Sequence, residues 1–143
     1  MARFRFRLQA VQELRHHAEK EQQDELLREK QRLDGLQEES DRLAAAFSHW
    51  SLRYLENSSH GMPAAEIVRL RGYLDELARR IRENAAQVER QQAAVERART
   101  ELVERMRERR TVDMLRDRKF AEYRLEESRR ADKELEDWMA CRA

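Results

Sequence analysis

The chain has 143 residues, of which 41% are charged and 40% hydrophobic, with three glycines and one proline. Ordinary globular domains are about 25% charged, so this composition argues against a compact core, and the many Ala, Glu, Leu, Arg and Gln residues favour helix. The formal net charge is only +1, whereas nucleic-acid binding proteins usually have a clear basic excess. The single Cys141 excludes an internal disulfide and a cysteine zinc cluster.

The first predicted element is a helix over about residues 3–56. From Leu26 to Tyr54, the residues at alternating spacings of three and four are apolar except for Glu29 and Ser40. This pattern is typical of a coiled-coil seam, the line of side chains facing a partner helix. Upstream, the apolar residues continue the seam with one extra residue near Gln22, which predicts a local unwinding of the supercoil. These upstream residues are Phe4, Leu8, Val11 and Ala18.

A turn over residues 57–62 is predicted next. Three polar residues from Asn57 to Ser59 precede Gly61 and Pro63, and this order is typical of a helix stop, a short loop and a helix restart. Pro63 suits the first helical position, where the missing N–H would have no partner. The second helix is predicted over about residues 63–140.

In the second helix the seam runs from Ile67 to Leu102, and only Asn84 and Gln91 interrupt its apolar character. A short loop makes the two helices antiparallel neighbours. Counting outwards from the loop places Leu36 opposite Asn84 and Glu29 opposite Gln91, which predicts a polar layer that fixes the register. The same count places Leu8 near Val112 and Phe4 near Leu115.

The predicted fold class is therefore all-α, a two-helix antiparallel coiled-coil hairpin forming a single domain over residues 1–143. The second helix would overhang the first beyond about Arg118. Leu125, Leu135 and Trp138 are too widely spaced there for a continuous seam, so we expect the overhang to fray when free or to become ordered on binding.

We find no catalytic, cofactor-binding or metal-binding pattern in the sequence. Adjacent residues such as His16 and His17 diverge by about 100° on a helix and cannot share a metal. The carboxylates have basic residues three or four positions away, as solvated helix faces do. No apolar run approaches the roughly 18 residues of a membrane span. These features predict a cytoplasmic protein that is not an enzyme.

Two candidate binding surfaces remain. Arg3, Arg5 and Arg7 would lie beside a basic stretch over residues 105–119, and this convergence favours an acidic partner, whether protein, anionic lipid or nucleic acid. A second candidate surface is a side stripe of the second helix near the loop. Its residues are Tyr73, Leu77, Arg80 and Asn84.

Several motifs carry a resemblance to a known family. They are Phe4-Arg5-Phe6-Arg7-Leu8-Gln9-Ala10-Val11 with Glu13-Leu14-Arg15, Tyr73-Leu74-Asp75-Glu76-Leu77, Arg118-Lys119 with Glu122-Tyr123-Arg124, and Lys133-Glu134-Leu135-Glu136-Asp137. In order and spacing they resemble the flagellar type III export protein FliJ family, whose relatives include virulence-system stalk proteins. The resemblance extends over the whole chain.

The resemblance implies a non-enzymatic coiled coil that inserts like a central stalk into a hexameric export ATPase and promotes its assembly and activity. It also implies contacts with the membrane export-gate protein and with export chaperones, at the cytoplasmic face of the inner membrane. The implied gate contacts are the side stripe of Tyr73, Leu77, Arg80 and Asn84. The implied ATPase contacts are Phe4, Arg5, Arg7, Leu8, Arg118, Lys119 and Tyr123.

An alternative from a different class is a generic coiled-coil spacer or chaperone-like protein that self-associates through its seam. The hairpin interpretation instead predicts a monomer when free, because each helix already covers the seam of the other. Nucleic-acid binding through the arginines is a third possibility, but interleaved acids and the lack of stacking aromatic residues argue against it.

Overall fold

The computed structural model describes residues 3–142 and contains two helices, α1 (Gln9–Ser59) and α2 (Ala64–Arg142). Gln91 of α2 bonds to Glu29 of α1, and Asn84 bonds to Leu36. Partners that lie later in α2 thus lie earlier in α1, as antiparallel packing requires. The predicted all-α helical hairpin is confirmed, as are the predicted pairings of Leu36 with Asn84 and of Glu29 with Gln91.

The chain divides into two compact units. The loop unit comprises Asp24–Thr100, and the terminal unit comprises residues 3–23 and 101–142 of the described chain. Each unit contains a segment of α1 and a segment of α2, and the two units differ in what holds these segments together.

The loop unit has a small apolar core. Leu43, Leu77, Val95 and Ala98 are its buried hydrophobic residues. The turn bends at Gly61, whose φ of 80° lies in the left-handed region that favours glycine. The amides of His60 and Met62 both donate to the carbonyl of Asn57, each at 3.3 Å. Helix α1 reaches Ser59, three residues beyond the predicted end, and α2 begins directly after Pro63.

The terminal unit departs from the predicted apolar seam. Besides Ala18, which is also half-buried, the side chains of α1 that turn towards α2 are Gln12, Arg15, Glu19 and Gln22, spaced by three and four residues. They keep the spacing that Leu26 begins, so no extra residue is absorbed near Gln22. The predicted apolar positions Leu8 and Val11 are each 37% exposed. The predicted apolar seam with an extra residue near Gln22 was wrong, because the seam keeps its spacing while its side chains change from apolar to polar and charged.

Residues 3–6 are not helical and residues 7–8 form a turn, so the predicted start of the first helix at residue 3 was also wrong. We call residues 3–8 the strap. Its exposure alternates: Phe4 and Phe6 are half-buried while Arg3, Arg5 and Arg7 are exposed. A two-residue period is that of an extended chain, which advances about 3.3 Å per residue, against 1.5 Å in a helix. The strap therefore carries Phe4 beyond Leu115, to Phe120 and Tyr123.

Helix α2 continues to Arg142, so the expected fraying is not seen. Residues 128–142 are all exposed. Ion pairs one turn apart support the part of α2 that follows Arg118. Examples are Lys119 with Glu122 at 3.4 Å and Arg130 with Glu127 at 3.5 Å.

Candidate protein-binding surfaces

An aromatic cluster joins the strap to α2. The ring centroid of Phe4 lies 5.2 Å from that of Phe120, edge to face, and 5.4 Å from that of Tyr123. The Arg116 guanidinium lies 5.8 Å from the centre of the Phe4 ring. These separations are typical of aromatic and cation–π contacts. The cluster fixes the strap on the surface of α2.

The strap and α2 together enclose an open cleft of about 480 Å³, which we call the terminal cleft. Its lining side chains are apolar, basic and, in two cases, acidic. Its lining residues are Phe4, Arg5, Phe6, Arg7, Leu8, Leu115, Lys119, Glu122, Tyr123 and Glu126. Six of the seven residues implied as ATPase contacts thus lie around one cleft. The seventh, Arg118, lies instead in a neighbouring groove with Thr111, Met114 and Leu115.

Several arginines of the terminal unit have no carboxylate within 4.0 Å in the part of the chain described. They are Arg3, Arg5, Arg7, Arg110 and Arg118. Lys119 at the same cleft is paired with Glu122. An unpaired, exposed guanidinium keeps its full positive field and its bidentate hydrogen-bonding capacity. This surface is suited to an acidic protein partner.

Below the terminal cleft, charged side chains join the two helices. Asp113 accepts hydrogen bonds from Gln12 at 2.9 Å, Arg109 at 2.9 Å and the His16 ring at 2.8 Å. Arg109 also pairs with Glu19, and Arg15 pairs with Glu108 at 2.7 Å. We call this group the ionic network.

The network shifts the pKa values of its members. Partial burial raises the pKa of Asp113, but the hydrogen bonds from Gln12, His16 and Arg109 outweigh burial and lower it from 3.8 to about 2. Hydrogen bonds to Asp113 and Glu19 raise the pKa of Arg109. These residues were not predicted from the sequence, because charged side chains on a helix usually indicate a solvated face.

A second surface lies near the turn in the loop unit. Trp50 and Tyr73 pack edge to face with ring centroids 5.7 Å apart, and the Arg53 guanidinium lies 5.8 Å from the Trp50 ring. These residues line an open cleft of about 610 Å³, the loop cleft, whose remaining lining residues are Asn57, Met62, Glu66, Arg69 and Leu70. Tyr73 is 43% exposed.

Two of the four residues of the predicted side stripe are exposed and two are buried. Tyr73 and Arg80 are exposed, and Arg80 bonds to Glu76 at 3.3 Å. Leu77 is only 2% exposed and Asn84 only 6%. Both face α1, where the Asn84 amide donates to the Leu36 carbonyl at 3.3 Å. A partner at this side of α2 would therefore meet Tyr73 and Arg80 but not the two buried residues, which belong to the helix interface.

The described part of the chain contains no group of three or more His, Cys, Asp or Glu residues placed to hold a metal ion. Within residues 3–142, neither helix has an apolar stretch long enough to cross a membrane.

Comparisons with known proteins show what this chain is similar to. The model of the family described as flagellar FliJ protein matches residues 4–142. The chain belongs to the flagellar FliJ protein family. Membership makes it a component of flagellar or type III protein export. Among solved structures, it is similar to CT670 of Chlamydia trachomatis, described as a YscO homolog, with 21% identity over 94% of this chain and 92% of that chain and a TM-score of 0.47. The comparison with curated proteins gives no match.

Proposed function

We propose that this FliJ family member is a non-enzymatic stalk of the flagellar export apparatus, which inserts its terminal unit into the hexameric export ATPase and promotes the assembly and activity of that enzyme. The observation that carries the proposal is the terminal cleft, where six of the seven implied contact residues meet. Family membership supports the export role, and the cleft supports the choice of this end of the hairpin.

The chemistry of the terminal cleft supports an acidic protein partner. Arg5 and Arg7 are exposed and have no carboxylate within 4.0 Å among residues 3–142, and they line the same cleft as the aromatic rings of Phe4 and Tyr123. Arginine and aromatic residues are enriched where protein interfaces concentrate their binding energy. Complementary charge also speeds association, since it steers the encounter.

The loop cleft is the proposed docking surface for the membrane export-gate protein. It exposes Tyr73 beside Trp50, with Arg53 and Arg69 at its edge. Such docking would hold the protein at the cytoplasmic face of the inner membrane, with export chaperones as further partners. In the free state we propose a monomer, because each helix already covers the seam of the other.

The proposal is tested by measuring ATP turnover and ring formation of the cognate export ATPase with and without this protein. The wild type should raise turnover several-fold at low ionic strength, where charge steering is strongest. The double charge reversal Arg5→Glu with Arg7→Glu should remove most of that stimulation.

A matched control is available in the loop unit. Arg90 and Arg97 are exposed and have no carboxylate within 4.0 Å among residues 3–142, so Arg90→Glu with Arg97→Glu makes the same change of charge elsewhere. This control should keep the stimulation. If the wild type gives no stimulation at low salt, or if both double variants lose it equally, the proposed role of the terminal unit is wrong.

A further inference from the structure

The two units hold their helices together by different chemistry. In the loop unit, Leu43, Leu77 and Val95 are buried between the helices. In the terminal unit, α2 has half-buried apolar residues such as Met106 and Val112, but several cross-helix contacts in the helical region are polar and charged pairs. They are Gln12 with Asp113, Arg15 with Glu108, His16 with Asp113, and Glu19 with Arg109.

The first part of the chain has little apolar surface buried. We call residues 3–22 the N-terminal arm. Within the arm, Glu19 is the one residue classed as buried, at 8% exposure. Leu14 is 64% exposed and Val11 is 37% exposed. The half-buried apolar residues of the arm are Phe4, Phe6 and Ala18, and Phe4 makes ring contacts with Phe120 and Tyr123.

Contacts of this kind stabilise weakly. The Arg15 and Glu108 side chains are 39% and 32% exposed, and ion pairs at such exposure are screened by salt. Glu19 loses hydration on burial, and this cost is offset only while Arg109 stays beside it. Apolar burial in the loop unit has no comparable dependence on ionic strength.

We propose that the N-terminal arm is a detachable element of the fold, which leaves α2 while the loop unit stays folded, and that the ionic network is its latch. Release of the latch frees Arg15 on the arm and exposes Glu108, Arg109 and Asp113 on α2. The strap leaves with the arm, so the terminal cleft exists only in the latched state. The inference concerns the chain alone and stands whether or not the proposed ATPase role is correct.

The latch is tested by amide hydrogen exchange on the full-length wild-type protein at about 0.05 M and about 0.5 M NaCl, which screen charges over very different distances. Exchange in residues 9–22 should rise several-fold at the higher salt. Exchange in residues 70–95 of the loop unit should not rise in parallel, because apolar contacts hold that segment.

Two neutral substitutions separate the latch from ordinary surface pairing. Glu19→Gln removes the charge that faces Arg109 and should raise exchange in residues 9–22 about tenfold at low salt, since Arg109 then keeps its ion pair with Asp113 of its own helix while the cross-helix pair is lost. Glu104→Gln is the control, because Glu104 pairs only within α2, with Arg107 at 3.4 Å. This control should leave exchange in the arm unchanged.

An apolar replacement completes the test. Glu19→Leu with Arg109→Leu replaces the central pair by packed hydrophobic side chains, an exchange that is often neutral or stabilising. The arm of this double variant should keep its protection and lose most of its salt response. An equal salt response in the arm and in residues 70–95 would overturn the proposal, as would an effect of Glu19→Gln no larger than that of Glu104→Gln.

Discussion

Asp113 shows how a single residue can make the terminal unit sensitive to acid. Its carboxylate accepts hydrogen bonds from Gln12 and His16 of α1 as well as from Arg109 of α2. Burial alone would raise its pKa, but the three donors lower it to about 2. In the unfolded chain an aspartate has a pKa of about 3.9. The folded state therefore favours the ionised form more strongly than the unfolded state does.

The pH dependence follows from that difference. The stabilising effect of Asp113 is fully present above about pH 4 and is lost as the pH falls through about 2. We expect the wild type to lose on the order of 1–2 kcal/mol of unfolding free energy over this window through Asp113. Urea unfolding at a series of pH values measures the loss.

Asp113→Asn is the variant to compare, since it keeps the shape of the side chain and removes the titration. Its unfolding free energy should be lower than that of the wild type at pH 7 and should fall less steeply between pH 4 and pH 2. Parallel curves for the two proteins would show that Asp113 contributes nothing to the acid response.

Gln91 marks the polar layer of the loop unit. Its amide donates to the Glu29 carbonyl at 3.0 Å and also to the Glu29 carboxylate. Gln91→Ala should lower the unfolding free energy by about 1–3 kcal/mol, because it removes both cross-helix hydrogen bonds to Glu29. The neighbouring Gln92 is exposed, so Gln92→Ala is the control and should change stability by less than about 0.5 kcal/mol. Thermal or urea unfolding distinguishes them, and equal effects would mean that the layer is not stabilising.

At the scale of elements, the turn depends on one glycine. Gly61 has a φ of 80°, which side chains with a Cβ rarely adopt, although nothing lies within 4 Å of where that Cβ would be. Gly61→Ala should therefore destabilise the protein by about 1 kcal/mol through backbone strain alone. Gly35 lies within α1 and also has open space around it. Gly35→Ala should stabilise by about 0.5–1 kcal/mol. Calorimetry of both variants checks the pair, and the same sign for both would contradict the account.

The register of the two helices could be predicted from the sequence. The pairs Glu29–Gln91 and Leu36–Asn84 follow from the heptad spacing and a short loop, because together these set the register. The strap was missed although Phe4 and Phe6 alternate with Arg5 and Arg7, a two-residue period typical of an extended chain.

The ionic network was harder to predict. Val11 and Leu14 are apolar yet exposed, whereas Glu19 is charged and buried. That stretch of sequence is compatible both with an apolar seam and with a charged seam. Only the positions of Glu108, Arg109 and Asp113 on the facing helix decide between them, and composition does not supply that information.

At the scale of the whole molecule, the two units offer different surfaces. The terminal unit has unpaired arginines beside an aromatic cleft, and the loop unit has the exposed Tyr73 beside Trp50. A spacer would need no such difference in chemistry. A stalk that contacts an ATPase through one unit and an export gate through the other would need it, and this is the reason we favour the stalk over self-association.

The most direct test of the stalk proposal is site-specific photo-crosslinking to the assembled export ATPase. A photoreactive residue placed at Arg118, in the terminal unit, should crosslink to the ATPase. The same residue placed at Leu55, which is 61% exposed in the loop unit, should not. Crosslinks from Leu55 and none from Arg118 would contradict the proposed orientation, and no crosslink from either position would contradict insertion of the terminal unit into the ring.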